Sequence, residues 1–163
     1  MRELDELIYS RIKDDPWLLY WLTASGAPGQ SVKPNPANPN PPGNAYGLKK
    51  IKHGHQKNVK DVPALNFYLF QMLPGLLRGN HTRTYEAIYE FGAFASTYYE
   101  LTSRIKLLFD GWCFNVPSSY TEVGKVSSVF DWEGSEGFDE TLKENFRFVR
   151  IRFLVTSKPN VPS

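Results

Sequence analysis

Three histidines are the side chains of this chain that are best suited to bind a metal ion. His53 and His55 form an H-x-H pair, and on a strand both rings would point to the same side. Zinc requires a third and usually a fourth ligand, which His81 or Asp61 would supply. The five lysines between residues 49 and 60 oppose this interpretation, because their charges repel a cation. We therefore expect a solvated basic loop and predict neither a metal nor another cofactor.

The same lysine-rich run is suited to electrostatic contact with the phosphates of a nucleic acid. It lacks, however, the interleaved aromatic residues on which bases would stack. The net charge of the chain is only +2, which does not by itself indicate a nucleic-acid-binding protein. A small nucleic-acid-binding module is therefore kept as an alternative function.

Groups that would carry out catalysis are few. Glu86 and Glu90 lie four residues apart on one face of a predicted strand, where an exposed sheet face explains them better than an acid–base pair in a dry pocket. Cys113, the single cysteine, stands between Trp112 and Phe114, and this setting predicts an inert buried thiol. No nucleotide-binding or hydrolase motif occurs. We predict that the protein is not an enzyme.

Aromatic and arginine side chains provide the clearest candidates for a binding surface. Arg150 and Arg152 share one face of the last predicted strand with Phe148, a mixture that suits a protein interface, although an ordinary solvent-exposed face is the alternative. Aromatic residues make up 15% of the chain, which an aromatic core, an interface or both would explain. Four further aromatic residues are candidates for a subunit interface: Trp17, Tyr20, Trp21 and Tyr46.

The N-terminal residues predict two helices. Leu4, Leu7 and Ile8 fall on one helical face between residues 2 and 13. Asp15-Pro16 then predicts the start of a short second helix that is apolar all round and therefore packed against other residues. Because the N-terminal segment is charged and no apolar run reaches membrane-spanning length, we expect no signal peptide and no membrane contact.

Residues 24–61 form an irregular excursion. Five of the nine residues from 34 to 42 are proline, which excludes a helix and favours extended backbone. The residues before it are too few to fold alone, so we predict a single domain, 1–163, rather than two domains and a linker. We interpret the excursion as an arm toward a neighbouring subunit or another partner of the ring, and the tail 157–163 as loose.

The remaining patterns predict strands at 63–70, 82–91, 125–132 and 146–155, an acidic loop at 133–137, and a long helix over 92–110 that Gly111 terminates. Together they predict an α+β fold, in which helices cover one face of an antiparallel sheet of about four main strands. Besides the three N-terminal residues above, the predicted core consists of Phe94, Tyr98, Leu101, Ile105 and Leu108 of the long helix, and Val149, Ile151 and Phe153 of the last strand.

This order of elements resembles the tail-terminator, or tail-to-head joining, proteins of long-tailed bacteriophages. The resemblance rests on a helix that ends in Asp-Pro and an apolar turn, a Pro-led strand, the strand 83–91 that leads into the helix 95–109, and the closing segments 127–132 and 146–153. It is a likeness of layout, because the family has no catalytic motif to match. The long excursion departs from the pattern.

The resemblance implies a structural virion protein. Proteins of this family assemble into rings, typically of six subunits, that close the head-proximal end of the tail tube. The implied partners are therefore further copies in a homohexameric ring, the tail tube protein and the head connector, while DNA only passes through the lumen. The implied location is the head-proximal end of the virion tail, after assembly in the host cytoplasm. Another head–tail connector or neck protein is the alternative within this class.

Overall fold

A computed structural model describes residues 2–23, 32–39, 41, 44–54, 64–73, 77–78, 82–141 and 143–158. The helices of this part of the chain are α1 (Arg2–Lys13), α2 (Pro16–Thr23), α3 (Tyr98–Phe109) and a 3-10 helix (Asn44–Lys50). Its strands are β1 (Ile51–His53), β2 (Leu65–Leu73), β3 (Leu77–Arg78), β4 (Thr82–Phe94), β5 (Cys113–Asn115), β6 (Val123–Asp139) and β7 (Glu144–Ser157).

The seven strands of the described residues form one mixed sheet that curls into a half-barrel. Its order is β1-β2-β4-β7-β6-β5, with β3 beside β4. β1 runs parallel to β2, whereas the other pairs are antiparallel. The predicted α+β fold with an antiparallel sheet of about four main strands is therefore wrong, because the described chain is mostly strand and its sheet is mixed and larger. The prediction missed three short strands, because segments of two or three residues are too short to show a period-two pattern.

Two element boundaries also differ from the sequence-based expectation. The predicted acidic loop 133–137 belongs to β6, because register shifts after Phe130 and Glu133 keep the strand paired with β7. Phe94, predicted on the long helix, ends β4 instead, since its N–H donates to the carbonyl of Ala64 and it pairs with Phe146 of β7. α3 then ends as predicted, with Gly111 at φ 77° just after the helix.

The core lies between the helices and one face of the sheet. Tyr98 and Leu108 are partly buried against it, while Phe94 contacts Phe146 and Phe148 on the other side of the sheet. Burying each large apolar side chain contributes about 1.5–3 kcal/mol before entropy is subtracted. The structure buries the following residues of the predicted core: Leu4, Leu7, Ile8, Leu101, Ile105, Val149, Ile151 and Phe153.

Part of the excursion 24–61 is integrated into the domain. Pro34 and Pro41 are buried, and two backbone hydrogen bonds close a tight turn between Asn35 and Asn38. The 3-10 helix lies so close to α2 that a Cβ added at Gly47 would come within 2.9 Å of the carbonyl oxygen of Leu19. Residues 24–31, 40, 42–43 and 55–61 of the excursion lie outside the described part, as do 159–163 of the tail. Lys158 of the tail donates its N–H to Glu122.

Glu3 connects α1 to the loop that precedes β6. Its carboxylate accepts backbone hydrogen bonds from Thr121, Glu122 and Val123 at 2.7–2.8 Å, and one from the Thr121 hydroxyl at 3.0 Å. Burial raises the pKa of Glu3, but the four hydrogen bonds together outweigh this effect and lower the pKa below its ordinary value of 4.5. The stabilisation is therefore fully present above the unfolded-state pKa and is lost as the pH falls through the folded-state pKa.

We predict that Glu3→Gln lowers the free energy of unfolding by about 1 kcal/mol at pH 7, after allowance for solvent screening. The difference from the parent should shrink below pH 4.5, where the parent carboxylate becomes protonated. Urea denaturation at several pH values measures both effects. Glu6→Gln is the matched control, since Glu6 lies on the same helix and pairs with the exposed Arg2 rather than with the loop before β6. An equal loss of stability in the control at pH 7 would contradict the prediction.

Candidate interaction surface

The sheet has one face that carries the core and one that does not. Along β7, Val149, Ile151 and Phe153 point into the core. The alternate residues Phe148, Arg150, Arg152 and Leu154 therefore point to the opposite side, which we call the outer face. The structure thus brings together the three residues that the sequence placed on one strand face.

Arg150 occupies the middle of the outer face. Its guanidinium carbon lies 3.8 Å from the ring centroid of Phe70 and 4.3 Å from that of Trp132. Its Nε donates to Glu90 Oε2 at 2.8 Å. Two aromatic rings and a carboxylate therefore fix this side chain in one position, which lowers the entropy that a binding partner would have to remove.

Glu90 is only 7% exposed, so the expectation of an exposed carboxylate at this position is wrong. It is buried because Arg150 on the neighbouring strand neutralises it and the Tyr68 hydroxyl donates to its Oε1. Burial, followed by this hydrogen bond and the carboxylate charge, raises the pKa of Tyr68. Tyr68 therefore keeps its proton and acts as a donor. The arrangement is an ion pair with a supporting hydroxyl rather than an acid–base pair for catalysis.

Arg152 is neutralised in the same way. Its Nη2 lies 2.9 Å from Asp131 Oδ1, and its Nη1 lies 3.6 Å from Glu86 Oε2. The Nε of Arg152 is buried and has no hydrogen-bond acceptor among the described residues. Both arginines of the outer face are therefore matched by carboxylates of the same chain, which leaves little positive charge for a phosphate.

Large apolar side chains surround these ion pairs. On the outer face, Phe70, Trp132 and Leu154 are 42–45% exposed, and Val129 is 51% exposed. At one end of the face, the rings of Phe94, Phe146 and Phe148 contact one another with centroids 5.5–6.4 Å apart. A sheet face that is apolar, aromatic and internally neutralised has the composition of a protein–protein interface rather than of a substrate site.

The predicted interface residues of α2 lie in the helical layer and not on the outer face. The rings of Trp17 and Tyr20 meet edge to face at 6.2 Å, and Trp21 is partly buried against the core. Lys33 of the excursion places its Nζ 5.8 Å from the Trp17 ring. Tyr46 belongs to the 3-10 helix, and its side chain lies outside the described part of the structure. Within the described structure, Trp17, Tyr20 and Trp21 therefore form no common surface with Arg150.

The histidines do not form a described metal site. His53 Nε2 lies 3.4 Å from Asp5 Oδ2, and the imidazole ring contacts Phe67 with centroids 4.9 Å apart. His55 and His81 lie outside the described residues. Within the part of the chain that the structure describes, no group of three or more His, Cys, Asp or Glu side chains could hold a metal ion.

The environment of Cys113 also differs from the expectation. The thiol is exposed on the edge strand β5, so the prediction of a buried cysteine is wrong. Trp112 and Phe114 do pack against the core, with their rings stacked at 5.6 Å. The alternation of side chains along the strand then points Cys113 to the other side.

Arg147 is a polar core residue that the sequence analysis missed. It is 8% exposed and donates to the Thr102 hydroxyl of α3 at 3.1 Å. Its Nη2 lies 3.1 Å from Glu133 Oε1, and its guanidinium carbon lies 4.7 Å from the Tyr99 ring. Arg147 therefore links α3 to β6 and β7. The spacing in the sequence could have indicated this burial, because Arg147 lies two residues before Val149 and four before Ile151 and therefore shares their strand face.

No protein-family model matches this chain, and the curated proteins contain no match to it. None of the described helices is long and apolar enough to cross a membrane. The chemistry of the outer face and the order of elements along the chain are therefore the features from which we infer a function.

Proposed function

We propose that the chain is the subunit of a bacteriophage tail-terminator ring, a structural protein that caps the tail tube and joins it to the head connector. In this role the protein controls polymerisation. A ring that matches the tube on just one of its two sides stops the growth of the tube. The outer face serves as a docking surface in the assembled tail. DNA contacts the ring only as it passes through the lumen.

The observation that carries this proposal is the apolar, charge-neutralised outer face. Phe70, Trp132, Val129 and Leu154 expose apolar surface that a protein partner would bury. Arg150 and Arg152 are held by carboxylates of the same chain, so the face favours a protein over a nucleic acid. The order of elements along the chain supports the same class. A helix ends at an Asp-Pro corner, two long strands flank a helix, and a strand pair closes the chain.

Electron microscopy and tube binding test the proposal. The purified protein is examined by light scattering and negative stain, alone and after incubation with tail tubes from a long-tailed phage. We expect closed rings, free in solution or at the ends of the tubes. A protein that remains monomeric and leaves the tube ends unoccupied would sink the proposal.

Two single substitutions test the outer face itself. Leu154→Glu and Val129→Lys each place a charge on a side chain that is about half exposed. We expect each to weaken binding to the assembled partner about tenfold or more, because the new charge must be desolvated there. The unfolding midpoint should change little. Cosedimentation with tubes measures the affinity.

Leu107→Glu is the matched control, because Leu107 is 67% exposed but lies on α3. It introduces the same charge at the same type of residue, and binding should remain at the parental level. If the control weakens binding as much as Leu154→Glu, the outer face is not the docking surface.

A further inference from the structure

Both edges of the sheet leave backbone without a neighbouring strand within the described part of the chain. β1 pairs only with the first three residues of β2, so 69–73 of β2 have no strand on that side. At the opposite edge, β5 pairs only with 125–127 of β6, so 132–138 of β6 have none either. Phe70 and Met72 on the first edge, and Trp132 and Phe138 on the second, are 42–50% exposed. Open edges with apolar side chains favour pairing with another chain.

The two edges carry opposite charge. The described segment 44–54, which includes β1, contains Lys49, Lys50 and Lys52 and no acidic residue. The hairpin 139–144, which joins β6 to β7, contains three acidic residues and one lysine, whereas Glu133 and Glu136 of β6 are paired with Arg147. Glu140 at the tip of this hairpin is 83% exposed at its side chain and pairs with Lys143. The edges are therefore electrostatically complementary to each other.

The basic strand and the acidic hairpin lie at the same end of the sheet. Ile51 of β1 pairs with Leu65, Leu65 pairs with Ala93, Ala93 pairs with Arg147, and Arg147 pairs with Glu136 of β6. One row across the sheet thus joins the basic edge to Glu136 of β6, and the acidic hairpin begins three residues beyond this row, at Asp139. A rotation that carries one copy onto the next brings this end of the basic edge beside the hairpin.

We infer that copies of this chain join head to tail, with the basic β1–β2 edge of one copy against the acidic β6 edge and β6–β7 hairpin of the next. This inference rests on the proposed ring and names the contact that closes it. A contact between two different surfaces is heterologous, and a heterologous contact closes into a ring when its rotation permits. Two identical edges facing each other would instead place like charges together.

Charge reversal tests this contact. The tip variant carries Glu140→Lys and Glu144→Lys, and the edge variant carries Lys50→Glu and Lys52→Glu. Each variant alone places like charges at every contact, and we expect the assembled fraction to fall at least tenfold. An equimolar mixture restores opposite charges at both kinds of contact, so mixed rings should form. Light scattering and negative stain measure assembly, and circular dichroism verifies that each variant is folded.

The control carries Lys13→Glu and Lys125→Glu, two exposed positions outside the segments 44–54, 69–73 and 132–144, and changes the net charge by the same amount as the edge variant. It should assemble like the parent. Amide hydrogen exchange adds a backbone measurement, because 69–73 and 132–138 should become protected on assembly. Assembly of either variant alone, or failure of the mixture, overturns the inferred contact while leaving the proposed ring intact. If the parent neither assembles nor caps tubes, the proposed function and this contact both fall.

Discussion

Replacing Arg150 by methionine is expected to lower the free energy of unfolding by about 3–5 kcal/mol, because the change leaves the Glu90 carboxylate buried without its charge partner. Glu90 is only 7% exposed, and its other hydrogen-bond donor is the neutral hydroxyl of Tyr68. Methionine keeps an unbranched apolar chain between the rings of Phe70 and Trp132, so the loss of packing is small. Urea denaturation at pH 7 measures the difference.

A double-mutant comparison identifies the cause of this loss. Glu90→Gln alone should cost less than Arg150→Met, because the Arg150 side chain is 26% exposed and remains partly hydrated. Combining Arg150→Met with Glu90→Leu should recover most of the stability, since a buried ion pair and a well-packed apolar pair are of similar stability. If the double variant is as unstable as Arg150→Met, the cost comes from lost packing and not from the unpaired carboxylate.

The same network explains why the outer face is suited to binding. Ion pairs within the chain hold Arg150 and Arg152 in fixed positions before a partner arrives. A partner therefore meets a rigid surface and gains affinity mainly from apolar burial around it. Substitutions at exposed apolar positions should affect binding, whereas substitutions within the ion pairs should affect stability first.

The sequence predicts those parts of the fold that have a regular period. The apolar spacing of α1 and α3 and the alternation of β7 identify most of the buried residues of these three elements, since one face of each element must be apolar. The short strand β1 has no such pattern. Its parallel pairing with β2, which makes the sheet mixed, is a long-range contact that local sequence does not encode.

The candidate surface was only partly predictable for a different reason. Alternation placed Trp132 on the same side as Phe130, but the register shift between them turns Trp132 to the outer face beside Arg150. A bulge adds one residue and reverses the alternation after it. The burial of Glu90 likewise depends on the register that places Arg150 directly opposite, which becomes apparent only when β4 and β7 are paired.

Asp15 provides the second large expected effect, because one carboxylate has two structural roles. It caps α2 by accepting from the Leu18 N–H at 2.8 Å, and it accepts two hydrogen bonds from Arg104 of α3 at 2.8 and 2.6 Å. The side chain of Asp15 is 7% exposed and that of Arg104 is 25% exposed. We therefore expect Asp15→Ala to lower the free energy of unfolding by about 3 kcal/mol, of which the cap accounts for about 1 kcal/mol.

Two further substitutions separate these roles. Asp15→Asn keeps a side chain that caps helices as well as aspartate does, but it removes the charge that holds Arg104. Its cost should therefore be about two thirds of that of Asp15→Ala, measured by thermal and urea denaturation. Asp14→Ala is the matched control, because Asp14 is the preceding acidic residue and is exposed. If Asp14→Ala destabilises the protein as much as Asp15→Ala, the loss of a negative charge near α2 explains the effect, and the contact of Asp15 with α3 does not. If Asp15→Asn has parental stability, the cap alone is responsible.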